Sequence, residues 1–142
     1  MKKFSFPLER VMAWRATQLR LEEAKLEQMQ AGVRALERRV EALLEQAREA
    51  EQIRESGSAS GWELANLDVY RGWAAGEQRK LAATRTGWMK RIAAQMQVIA
   101  QKKLDVRLLE RLKEQRLAVW NTDLQREIHQ QAEESYLARW NR

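Results

Sequence analysis

At 142 residues, with 26 Lys and Arg against 20 Asp and Glu, the chain has room for one ordinary domain and carries a formal net charge of +6. It has no cysteine, which excludes disulfides and thiolate chemistry, and no apolar run near the roughly 20 residues that a bilayer span requires. One proline, 32% charged residues and 7% aromatics suit long helices better than a compact mixed fold.

The chain starts Met1-Lys2-Lys3-Phe4-Ser5-Phe6-Pro7, basic but without a following apolar stretch, so it does not read as a secretory signal and a cytoplasmic protein is expected. Ser5 fits an N-cap and Pro7 the first turn of a helix, which predicts helix one over about 6–55, with Gly32 its one weak point. Leu19, Leu26, Val33, Val40 and Ala47 recur every seventh residue. Glu22, Met29, Leu36, Leu43 and Ala50 form a second row offset by three. Alternating steps of three and four mark the seam of a left-handed coiled coil.

Ser56-Gly57-Ser58-Ala59-Ser60-Gly61 is the one run of small, flexible residues and predicts a loop over 56–61. Gly57 can take the left-handed conformation that ends a helix, and Ser60-x-x-Glu63 reads as a capping box that opens the next. Helix two is then expected over about 62–140. It is weak through Gly72, Gly76 and Gly87, and firmer where Trp88, Ile92, Ile99, Val106 and Leu109 continue the seam. Folding the chain about this loop sets Leu36 opposite Leu81, Met29 opposite Trp88, Leu19 opposite Ile99 and Leu8 opposite Leu109. Two seams that register on one loop predict an all-α fold: a single elongated antiparallel coiled-coil hairpin over 1–142, its C-terminal helix the longer. Glu22 facing Gln95 and Arg15 facing Lys102 are defects, the two cations being expected to turn outward. Ala47 and Ala50 make a thin layer near the tip. With the seams satisfying each other, the hairpin is expected to be monomeric alone.

Pairing uses helix two only as far as about Glu110, leaving a helix of roughly 45 Å without a partner in the chain. Along it Leu117, Trp120, Leu124 and Ile128 step by three and four, with Tyr136, Leu137 and Trp140 beyond. A lone amphipathic helix cannot bury such a stripe by itself, so Leu117, Trp120 and Leu124 are candidate partner contacts. Trp62 and Trp73 also lack evident cover and point to contact surfaces.

Signs of catalysis are missing. There is no phosphate-cradling Gly-x-x-x-x-Gly-Lys-[Ser/Thr], and the single histidine, His129, has no metal-binding spacing around it. No catalytic residue, cofactor or metal is expected. From Arg79 to Arg116, eleven Lys and Arg stand against three acids, a stripe that suits nucleic acid, an anionic membrane surface or an acidic protein, and equally a solvated helix face.

The opening Phe4-Ser5-Phe6-x-Leu8-Glu9-x-Val11 resembles the N-terminal signature of the flagellar export protein FliJ family. Leu109-Glu110-Arg111-Leu112-Lys113-Glu114-Gln115-Arg116 is similar to that family's Leu-Glu-Lys-Leu-Lys-Glu-Arg-Arg segment. The resemblance implies a stalk-like component of the flagellar type III export apparatus, cytoplasmic and peripheral to the inner membrane at the flagellar base. Its implied partners are the hexameric export ATPase, the export gate membrane protein and the chaperones of export substrates. Carried onto this sequence, the ATPase-facing end would include Phe4, Phe6, Leu8, Val11, Leu109, Leu112, Lys113 and Arg116. Gate contacts would fall at Arg39, Leu43, Gln46 and Ala50, with Trp73 across the hairpin. The competing readings are the equivalent stalk of a virulence type III secretion system and a basic coiled-coil hairpin that binds nucleic acid. The last lacks the aromatics interleaved with arginine that stack bases, so no nucleic acid is expected as a partner.

Overall fold

The structure, a computed structural model, describes residues 2–141. It consists of two helices, α1 (Glu9–Glu55) and α2 (Gly61–Trp140), packed against each other as a helical hairpin with the second helix the longer. Every seam position from Leu8, in the turn before α1, through Ala50, in steps of three and four, is buried or half-buried. The heptad is thus the packing face of the helix.

The junction forms as the local chemistry dictates. Gly57 has φ 70°, and the Ser56 hydroxyl closes the end of α1 by donating to the Ile53 carbonyl at 2.6 Å. Ser60 N–H donates to Glu63 Oε2 at 3.2 Å while Glu63 N–H donates to Ser60 Oγ at 3.3 Å, the reciprocal capping box. The start of α1 departs from expectation. The helix opens at Glu9 rather than near Phe6, after a turn in which Glu9 N–H donates to the Phe6 carbonyl. Its first helical bond runs from Met12 N–H to the Leu8 carbonyl, so Ser5 does not cap it. Phe6 precedes Pro7, whose ring pushes it out of the helical region, and residues 2–6 go elsewhere.

The hairpin divides into two compact units. The unit of residues 22–98 is centred on Leu36, Leu43, Ala74 and Leu81, with Val40, Tyr70 and Trp88 packed against them. Trp88 is half-buried in this unit. Its indole lies on Gly32, where an added Cβ would come within 3.2 Å of two ring carbons. The one glycine inside α1 therefore makes room for a tryptophan of the facing helix. In the same unit, buried Gln95 donates from Nε2 to the Glu22 carbonyl at 2.9 Å and to Glu22 Oε2 at 2.6 Å. The polar pair expected at this level is satisfied between the helices.

The second unit combines residues 2–21 with 99–141, of those described. Ile99 and Val106 are buried against α1, and Leu8, Met12, Leu19 and Leu109 are half-buried. Arg15 does not simply turn outward. Its guanidinium pairs with Asp105 at 3.6 Å and lies 5.3 Å from the ring centre of Trp14.

Candidate docking surfaces

In the unit that carries both termini, the expectation that nothing in the chain reaches the overhang is corrected. Residues 2–6 run along α2 as a non-helical strap. Phe6 is only 6% exposed, and the Arg116 guanidinium stands 5.8 Å above its ring. The Phe4 ring packs at 5.9 Å and 59° against Trp120, whose indole N–H donates to the Lys2 carbonyl at 3.1 Å. Lys113 pairs with Glu9 at 2.9 Å. Trp120 is therefore partly covered, and Lys113 and the exposed Arg116 are engaged by Glu9 and Phe6. A sequence signal for the strap did exist. Phe4 and Phe6 alternate around Ser5, and an extended segment places alternate side chains on one face.

The structure thus brings Phe4, Phe6, Lys113, Arg116 and Trp120 together. Leu8, Leu109 and Leu112 are half-buried at or beside the seam, Leu124 is half-buried, and Val11 is exposed. Leu117 is 37% exposed. Beyond it α2 continues as a single helix with Ile128, Tyr136, Leu137 and Trp140 exposed, Trp140 to 76%, and with Tyr136 stacked on Trp140 at 6.4 Å. His129 lies on this stretch, beside Ala132, Glu133, Tyr136 and Leu137.

In the unit of residues 22–98, Arg39, Leu43, Gln46 and Trp73 line one shallow groove together with Glu77 and Leu81. Leu43 is buried core at its floor, so Arg39, Gln46 and exposed Trp73 are what a partner would meet. Ala50 does not join them. It lines a hollow between the helices with Ala47, Ala74 and Ala75, where side chains this small leave the coiled-coil spacing unfilled. Cross-helix contacts flank the hollow: Tyr70 hydroxyl to Gln46 Oε1 at 3.3 Å, Arg54 to Asp68 at 3.4 Å, and Arg71 to Glu51.

The basic stripe is partly engaged. Arg85 pairs with Glu37 at 3.7 Å, Lys80 with Glu77 at 3.5 Å, and Arg91 lies over the Trp88 ring at 5.4 Å. Among the described residues no three His, Asp or Glu side chains gather as a metal-binding group, and no helix is long and apolar enough to cross a membrane.

What these surfaces define is a helical hairpin with two separate candidate contact areas, one in each unit. In comparisons with known proteins the chain matches no family model, no curated protein and no solved structure.

Proposed function

We propose that this chain is a stalk-like component of the flagellar type III export apparatus, binding the hexameric export ATPase and linking it to the export gate and to substrate chaperones. The reading rests on the Phe-x-Phe-x-Leu opening and the Leu-Glu-Arg-Leu-Lys-Glu segment, and the observation that carries it is where they lie. The two motifs, far apart in sequence, meet in one unit, where Phe6 packs under Arg116 and Glu9 pairs with Lys113. They lead into a lone helix whose apolar and aromatic side chains face solvent. Exposed aromatics of this kind are favoured anchors of protein interfaces. The role is one of binding and not catalysis, carried out in the cytoplasm at the membrane-bound export gate.

Recovery of a hexameric export ATPase with the tagged full chain from the native cytoplasm is the expected result. Trp140→Glu, at the exposed end of α2, is expected to weaken that association by about 2 kcal/mol while leaving the unfolding of the hairpin unchanged. Recovery of a virulence-type ATPase instead would move the assignment to that branch. Steeply salt-dependent binding to random RNA, with no ATPase bound, would refute the stalk reading.

A further inference from the structure

The strap of residues 2–6 is attached differently from everything around it. Among the described residues no backbone–backbone hydrogen bond holds residues 3–5. Attachment comes from the buried Phe6 ring, the Phe4–Trp120 ring pair and the Trp120 N–H on the Lys2 carbonyl. Arg116 over Phe6 adds a cation–π contact. The strap can therefore lift away without breaking a helical turn. Lys2 and Lys3 share a groove with Arg116, Val119, Trp120 and Asp123, so the basic start of the chain lies on a stretch of α2 that sets a valine and a tryptophan between one basic and one acidic side chain. That stretch adjoins half-exposed Leu117 and continues through Leu124 to exposed Ile128.

We infer that residues 2–6 are an intramolecular competitor: a strap that occupies the Arg116–Trp120 face of α2 and must be released before a partner protein seats there. The inference rests on the ATPase-binding reading and adds a regulation to it. It also reverses the sign expected for two residues. If Phe4 and Phe6 were direct contacts, their loss would weaken binding. As parts of a competitor, their loss strengthens it. A strap closed about nine-tenths of the time lowers the apparent affinity about tenfold, because only the open fraction can bind.

The chain has no cysteine, so Ser5→Cys with Val119→Cys, two positions on the same groove, can be joined specifically by a thiol-cleavable bismaleimide that holds the strap shut. The double variant Phe4→Ser/Phe6→Ser holds it open. Amide exchange over residues 112–124 is measured on the free full-length forms, and the dissociation constant is measured for the purified hexameric export ATPase. The open variant is expected to exchange faster over 112–124 and to bind about tenfold tighter. The cross-linked form, with both phenylalanines intact, is expected to bind at least about tenfold weaker than the wild type and to recover on cleavage. Equal affinities for open, wild-type and cross-linked chains, or an open variant that binds more weakly, overturn the strap while leaving the ATPase reading in place. Unchanged exchange over 112–124 in the open variant overturns it as well. If no form binds the ATPase, the functional reading fails and takes this inference with it.

Discussion

Replacing Gly32 by alanine tests the central contact of the 22–98 unit, because two effects of known sign meet there. Alanine is favoured over glycine inside a helix by about 1 kcal/mol, so at an open position the change should stabilise α1 by that amount. At position 32 the new methyl would lie 3.2 Å from two ring carbons of Trp88, tighter than ordinary van der Waals contact, and the indole must shift by a few tenths of an ångström. Overpacking a well-filled site costs about 1–3 kcal/mol, and one methyl against a half-buried ring that can yield falls at the low end. The gain and the loss are then expected to cancel, leaving Gly32→Ala close to neutral in the wild type. In a Trp88→Ala background the obstacle is gone and the same change should stabilise by about 1 kcal/mol. The coupling between the two sites is therefore about 1 kcal/mol, above the few tenths by which independent sites deviate. Urea unfolding of the wild type, both single variants and the double variant, followed by far-ultraviolet circular dichroism, measures it. If Gly32→Ala stabilises both backgrounds equally, the indole does not rest on Gly32 and the packing argued here is wrong.

Three further outcomes are expected. Leu36→Ala or Leu81→Ala, each removing a buried side chain from the core of that unit, should cost about 2–4 kcal/mol, whereas Ala47→Ser beside the alanine hollow should cost well under 1 kcal/mol; similar urea midpoints for all three would refute the assigned core. Gln95→Leu removes the amide that donates to Glu22 and should destabilise by about 1–2 kcal/mol, while Glu22→Leu combined with Gln95→Leu should restore or exceed wild-type stability; a double variant worse than the single would show that the polar pair is needed for more than its own satisfaction. At the junction, Gly57→Ala forces a side chain into φ 70° and Ser60→Ala removes the capping hydroxyl, so each should lower stability by about 1 kcal/mol, and thermal melts unchanged in both would mean that the turn is not formed as described.

The heptad of α1, the left-handed Gly57, the Ser60–Glu63 box and the hairpin itself could all be read from the residue order. The first three depend on spacing within a few residues, where backbone geometry leaves little choice, and the hairpin on two seams that register on one loop. The Glu22–Gln95 pairing followed as well, because two periodic seams folded on one loop leave one register. Tertiary structure alone decided the rest. That the Trp88 indole rests on Gly32 is one such detail, because a loop count sets helix positions opposite each other but not where a bulky ring lies. Arg15 takes Asp105 as its partner because a long side chain chooses its ion pair by reach, not by position in the repeat. The strap is the clearest case. Phe4 and Trp120 are more than a hundred residues apart, and residues 2–6 have no helical period to announce a packing face. Only the antiparallel fold, which returns α2 to the start of the chain, puts Arg116 and Trp120 within reach of two phenylalanines on an extended segment, where Phe6 is buried and Phe4 half-buried.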